Sequence, residues 1–347
     1  MSDLLIRREG SLGHVTLNRP KALNAITREM VGSIHAALDA WAEDAAIQAV
    51  LIDGAGERGL CAGGDISAIY EATLSGSDAP AHFWREEYGV NALIARYPKP
   101  YVAIMDGIVM GGGVGMSAHG SHRIVTERSR IAMPEVGIGF VPDVGGTYLL
   151  SRAPGELGTY VGLTASPMNA ADAILCGFAD LCAPSTQSPA LIESLRHAST
   201  AVEVETALQS IHVDAGPSRL AAQRDWIDAC FCYDTIEEIL AALEAHQVED
   251  ARTTATLIRR HSPTSLKITL RALREARALP NLERCLELEY RVAVATLANP
   301  DLREGIRAAV IDKGTPQWSP ARIEDVTDEM VARHFRAPSS GDLHLGP

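Results

Sequence analysis

Twice in its first third the chain runs from a short apolar stretch into a glycine cluster. Residues 49–53 (AVLID) lead through GAGERGL to CAGGD at 61–65, and residues 101–105 (YVAIM) lead through DGIVM to GGGVG at 111–115. Apolar runs of this length bounded by glycine have the pattern of buried strands. The residues beyond each cluster change to helical spacing. Strand, tight turn and helix, repeated, point to an α/β fold whose strands are covered on both faces.

The flanking segments agree. Residues 3–8 and 13–17 alternate like the strands of a hairpin, and Asn18-Arg19-Pro20 ends the alternation. Thr27 is placed to N-cap a helix running to about Glu43, with Met30, Ile34, Leu38 and Trp41 on one stripe. Helical patterns cover about 65–73 and 81–96, and RIVTE and RIAMPE are two further strand candidates. From about residue 146 helices dominate: 156–163, 169–176, 187–198, 235–247, 264–278 and 284–297. An α/β half followed by a helical half is expected, without a linker, repeat or low-complexity tract. The final APSSGDLHLGP reads as a mobile tail.

Composition narrows the partners. Apolar residues make up 46% of the 347, enough for a large core, which excludes a mainly disordered chain. Lys and Arg number 31 against 44 Asp and Glu, a net charge of −13 that argues against nucleic acid or an anionic membrane. The stretch 101–120 is long enough to span a bilayer, but Asp106 and six glycines interrupt it. Six cysteines without a CxxC pair read as reduced core thiols, and the N-terminus has no apolar signal region. A cytoplasmic location is therefore expected.

The glycine clusters are the first candidate for chemistry. Backbone N–H groups at helix starts are unpaired and lie at the positive end of the dipole, so two such turns facing each other would form a two-donor oxyanion hole. The plainer reading is two tight turns. Gly113, Gly115 and Ala118 also satisfy G-x-G-x-x-A, but about five residues to the next strand are too few for a dinucleotide-binding crossover.

Carboxylates are the second candidate. Glu135 and Asp143 stand among apolar residues, glycines and prolines in MPEVGIGFVPDVGG. Carboxyls there are costly to bury unless paired or functional, and apolar walls raise their pKa towards acid–base use. The alternative is structural: Glu135 caps a turn and Asp143 caps the helix starting near Gly145. His119 and His122 lack a ligand set, so no metal is expected. No G-x-S-x-G elbow is present to serve a serine hydrolase. Arg19, Lys21, Lys267 and Lys313 read singly as solvated cations.

Taken together, LNRPKALNAIT (17–27), CAGGDI (61–66), DGIVMGGGVGMS (106–117) and AMPEVGIGFVPDVGGTYLLSR (132–152) resemble the crotonase (enoyl-CoA hydratase/isomerase) superfamily. The resemblance implies a crotonase-type spiral of ββα units over residues 1–200 with an acyl-CoA site. Residues 201–347 would then form a helical C-terminal region packed on that core. It implies an acyl-CoA thioester whose carbonyl oxygen lies between the N–H groups of Gly64 and Gly112. Lys21, Ala22 and Leu23 would line the CoA moiety, with Ala62, Gly111 and Gly115 also at the substrate.

The departures from the family pattern carry more. Hydratases of this family use two glutamates. The second matches Glu135; the first falls on Gly115, which has no side chain. Asp143 stands where hydratases have a small residue. These features, with HSPTSLK (261–267), LEYRV (288–292) and EGIRAAVIDKGTPQWSP (304–320), resemble the 3-hydroxyisobutyryl-CoA hydrolase branch. That implies hydrolysis of a short 3-hydroxyacyl-CoA, as in valine breakdown, with Glu135 and Asp143 catalytic. It implies no cofactor beyond the CoA of the substrate, and it leaves room for a homo-oligomer. The alternatives are an enoyl-CoA hydratase or isomerase, and a catalytically silent binding protein.

Overall fold

The computed structural model describes residues 2–346, which form eight strands: β1 (Leu4–Glu9), β2 (Leu12–Leu17), β3 (Ala49–Gly54), β4 (Tyr101–Met105), β5 (Ile108–Met110), β6 (His122–Val125), β7 (Arg130–Ala132) and β8 (Leu181–Cys182). Six of them make one sheet in the order β1-β2-β3-β4-β6-β8, and β5 pairs with β7. The hairpin expected from alternation is β1–β2, antiparallel from Leu4↔Leu17 to Glu9↔Leu12. Every other pairing in the large sheet is parallel. Parallel strands need covering helices, which is why β3 and β4 read as continuous apolar runs. AVLID and YVAIM are these two strands.

The chain divides into two compact units, each built from three stretches. The first takes the chain up to Gly64, Gly89–Ile131 and Met168–Ser218 and contains the large sheet. One face of that sheet buries Leu12, Leu51, Val102, Ile104 and Ile124 together with Leu191, Leu195, Val204, Leu208 and Ile211. The last three lie on the helix Ala201–Ile211, beyond the residue-200 boundary expected for the spiral, and this helix packs within the first unit. The helix Arg28–Glu43 starts where expected: the Thr27 hydroxyl accepts from the Met30 N–H, and Met30, Val31, Ile34, Leu38 and Trp41 are buried.

The second unit takes Asp65–Tyr88, Ala132–Pro167 and the chain from Arg219 onward. Its long helices are Pro263–Ala276 and Leu282–Thr296, with a core cluster of Val141, Ile268, Val292, Val326 and Val331. Asp65 occupies the N-cap position of the helix Ile66–Ser75, but its side chain makes no capping bond.

The expected mobile tail is a further difference. Arg85 donates to the carbonyls of Gly341 and Asp342, Arg291 grips the Asp342 carboxylate at 2.8 and 2.9 Å, and Leu343 is buried. Small polar residues signal a tail in sequence; the two arginines that pin it lie 51 residues or more away.

Candidate active site

In the first unit the loop after β3 lies along β5. Cys61 N–H donates to the Ile108 carbonyl and Met110 N–H to the Cys61 carbonyl, so Cys61 and Val109 pair as a parallel bridge. This brings the two glycine clusters together: a Cβ built on Gly63 would lie 3.9 Å from the Gly112 nitrogen. On the other side Ile26 N–H donates to the Gly63 carbonyl at 2.9 Å, and Ile26 pairs with Gly64 as a parallel bridge. In such a bridge only residues 63 and 65 of the loop face Ile26, which turns the Gly64 N–H away. Gly112 is the first residue of the helix Gly112–Ser117, so its N–H has no intrahelical acceptor. Among the described residues no protein acceptor takes either N–H. Free backbone N–H donors on neighbouring turns are the kind of group that stabilises an oxyanion.

The other residues expected at the substrate are placed close by, but several of their groups are occupied. Ala62 N–H donates to the Leu23 carbonyl, Leu23 N–H to Pro20 and Gly115 N–H to Gly111. Asn24, at a left-handed φ of 56°, donates to the carbonyls of Ala55 and Gly59. It thereby ties the turn carrying Lys21, Ala22 and Leu23 to the glycine loop. Lys21 and Ala22 are exposed, while Gly111, Gly112 and Gly115 are buried. Among the cations, Arg19 is bonded to the Ala25 carbonyl, and Lys267 to Glu237 and the Val326 carbonyl.

Trp84, Glu87 and Tyr88, which lie in the second unit, share one face of the helix Ala79–Ala95, at the i, i+3, i+4 spacing of a helical stripe. Trp84 stacks on Phe140 at 5.2 Å, and the Tyr88 hydroxyl donates to Asp143 Oδ2 at 2.7 Å. Glu135 opens a short 3₁₀ turn, Glu135–Ile138. Its carbonyl accepts from Phe140, its carboxyl accepts from its own backbone N–H, and Oε2 is buried without a partner. An orphaned carboxylate oxygen is expensive, which favours a functional reading for Glu135 over the capping one.

The capping reading of Asp143 is replaced by a different one. The helix Gly146–Arg152 has Gly145 at its N-cap, and the carboxylate that serves its first amides belongs to Glu289. Glu289 accepts from Gly145 N–H at 2.7 Å, from Thr147 N–H at 2.8 Å and from the Thr147 hydroxyl at 2.5 Å. Asp143 contributes only its carbonyl, to the Gly146 N–H.

Glu87, Glu135, Asp143 and Glu289 are four of the six carboxyls buried in this unit, the others being Glu287 and Asp301, and the four stand apart from the Glu287–Arg284 ion pair. None of the four forms an ion pair among the described residues. Burial pushes the Asp143 carboxyl up to about 7, against the lowering effect of Tyr88, and Glu289 up to about 8. Glu135 is raised well above the ordinary range by burial and then by the charges of Asp143 and Glu289. Glu87 is raised by burial and by Asp143, and its Oε1 is buried without a partner. Burial and the charge of Asp143 both disfavour ionisation of Glu87, so this group of carboxyls holds at least one proton.

The C-terminal motifs brace the Glu135 turn. Ser262 N–H donates to the Val136 carbonyl, and the Ser262 hydroxyl donates to Asp301 at 2.5 Å. Gly305 meets the same turn so closely that a Cβ there would lie 2.2 Å from the Ile138 carbonyl carbon.

Sequence reasoning named Glu135 and Asp143 and missed Glu87, Tyr88 and Glu289. A signal was present: Glu289 interrupts the apolar stripe Leu282, Leu286, Ala293, and Glu87 sits between Trp84 and Tyr88.

The model of the enoyl-CoA hydratase/isomerase family matches residues 12–335. The chain is 41% identical to the mitochondrial 3-hydroxyisobutyryl-CoA hydrolase of Rattus norvegicus over 350 residues, covering 99% of this chain and 91% of that protein. It is 40% identical to 3-hydroxyisobutyryl-CoA hydrolase 1 of Arabidopsis thaliana, covering 100% and 95%. The crystal structure of a carnitinyl-CoA dehydratase from Mycobacterium thermoresistibile superposes with a TM-score of 0.95 at 48% identity, covering 99% of both chains.

Proposed function

The chain belongs to the enoyl-CoA hydratase/isomerase family, and we propose that within it the protein hydrolyses the thioester of a short 3-hydroxyacyl-CoA, 3-hydroxyisobutyryl-CoA above all, to the hydroxy acid and CoA. The observation that carries this reading is the buried Asp143 carboxylate, held by Tyr88, in a chain with no side chain at Gly115. Hydration of an enoyl thioester needs a second acid–base group, and a glycine supplies none. The full-length similarity to proteins named as hydrolases supports the same reading.

In this reading the thioester oxygen accepts from the N–H groups of Gly64 and Gly112, which stabilise the charge as the carbonyl carbon becomes tetrahedral. Each such donor is worth ~10²–10³ in rate. Two routes use Glu135. Its carboxylate attacks the carbon and expels the CoA thiolate, leaving an anhydride that water opens; or it takes a proton from the attacking water. Asp143 accepts a hydrogen bond from the 3-hydroxyl of the substrate or passes a proton to the departing thiolate. The CoA moiety lies along Lys21, Ala22 and Leu23, with Ala62, Gly111 and Gly115 shaping the floor. The reaction calls on no cofactor.

The reaction is that of valine breakdown, and a reducing compartment such as the cytoplasm fits six free cysteines, five of them buried. No helix among the described residues is long and apolar enough to cross a membrane.

The test is to follow thiol release from a panel of acyl-CoAs alongside loss of enoyl absorbance on crotonyl-CoA. Thiol release that is fastest on 3-hydroxyisobutyryl-CoA, with far slower hydration, supports hydrolysis. A hydration rate above the hydrolysis rate replaces it with the hydratase reading, and activity on neither with a binding protein.

A further inference from the structure

Residues 143–146 form a tight turn closed by a 2.7 Å bond from Gly146 N–H to the Asp143 carbonyl. Its two central residues, Val144 and Gly145, both have positive φ, 52° and 81°. Glycine adopts that conformation readily, but a β-branched residue is a genuine outlier there. Something must hold Val144, and the Asp143–Val144 peptide would rotate if it were released, carrying the Asp143 side chain with it.

The structure holds the turn from a distant part of the sequence. Glu289, 144 residues beyond Gly145, lies fully within the second unit and spends both carboxylate oxygens on it. Oε2 accepts from Gly145 N–H, and Oε1 from the amide and hydroxyl of Thr147. Both oxygens act as acceptors in these three bonds, an arrangement that a side chain with an N–H in place of one oxygen cannot reproduce. The far side of Asp143 is held by Tyr88.

We propose that Glu289 is a positioning residue for Asp143: by gripping the amides of Gly145 and Thr147 it keeps Val144 in its strained conformation and aims the Asp143 carboxylate at the substrate's 3-hydroxyl. The inference rests on the hydrolase reading above and adds a residue that touches neither the thioester nor the hydroxyl. It also accounts for a helix of the C-terminal region in terms of the chemistry, because Leu282–Thr296 carries the clamp.

The experiment measures kcat and KM for 3-hydroxyisobutyryl-CoA and isobutyryl-CoA with the full chain, as wild type, Glu289→Gln, Thr147→Val, and Glu289→Gln combined with Val144→Gly. Glutamine has the same shape but turns one amide N–H onto a donor. Glu289→Gln is expected to lower kcat about tenfold or more, to leave KM within about twofold, and to reduce the preference for the hydroxylated thioester by a similar factor to kcat. Val144→Gly in that background is expected to restore part of the preference, because glycine needs no clamp to hold positive φ. A Glu289→Gln enzyme that melts earlier but keeps its preference overturns the proposal, as does a lost preference that Val144→Gly does not recover. Should Glu289→Gln fail to fold, Thr147→Val, which removes one of the three bonds, must show the same loss in smaller measure; an unchanged preference there also overturns it. A wild type that releases no thiol overturns the hydrolase reading instead.

Discussion

The hydroxyl of Tyr88 donates a 2.7 Å hydrogen bond to Oδ2 of Asp143, and both side chains are buried. This bond favours the ionised carboxyl and partly offsets the burial that pushes Asp143 up to about 7. Tyr88→Phe removes it without changing the packing volume much. Hydrogen bonds to charged groups are worth ~1.5–3 kcal/mol, so kcat should fall by one to two orders of magnitude. The pKa of Asp143 should rise, and the acid limb of the pH–rate profile should move to higher pH. An acid limb that stays in place would show that another group titrates there.

Glu135 tests the chemical step. Its Oε2 is buried without a partner, and glutamine keeps an oxygen to accept from the backbone N–H of Glu135. Glu135→Gln should fold normally by circular dichroism and turn over at least ~10²-fold more slowly. Near-normal thioester hydrolysis by the folded mutant would remove Glu135 from the mechanism.

Buried carboxyls also shape stability. Asp143 has an ordinary value of 3.8 and is raised to about 7 in the folded chain. A raised carboxyl binds its proton more tightly when folded, so its contribution is fully present below the unfolded pKa and is lost as pH rises through the folded one. Asp143→Asn has no such loss. Its stability relative to wild type should therefore grow between about pH 4 and about pH 8, by an amount on the order of a few kcal/mol. Melting curves of the two proteins at both pH values check this; a difference that is constant with pH would contradict it.

Close packing under the Glu135 turn gives a further prediction. A Cβ at position 305 would lie 2.2 Å from the carbonyl carbon and oxygen of Ile138, both backbone atoms. Gly305→Ala should cost ~1–3 kcal/mol of stability and lower kcat, because the turn carrying Glu135 must shift. Unchanged melting and turnover would mean that the helix Pro300–Ile306 moves aside freely.

Local signals made much of this fold legible. AVLID and YVAIM are β3 and β4 because fully covered strands need no alternation, and the Thr27 cap marks its helix to the residue. The three-residue β5 and two-residue β8 were not legible, being too short to show a period. The candidate carboxylates Glu135 and Asp143 and the two glycine turns stood out as motifs. Their support did not, because Tyr88, Ser262 and Glu289 act across 55, 126 and 144 residues of chain, and only the fold brings them to Asp143, Val136 and Gly145.

The most direct test of the account is the ratio of kcat/KM for 3-hydroxyisobutyryl-CoA to that for isobutyryl-CoA, measured by thiol release in wild type and in Asp143→Asn. A site built around a hydrogen bond to the substrate hydroxyl discriminates strongly against the analogue lacking it, because its own buried group is left unpaired. The expected result is a wild type that prefers the hydroxylated thioester by at least about tenfold and a mutant that loses both rate and preference. A ratio unchanged by the mutation would mean that Asp143 does not recognise the hydroxyl, and a wild type without the preference would contradict the 3-hydroxyacyl assignment itself.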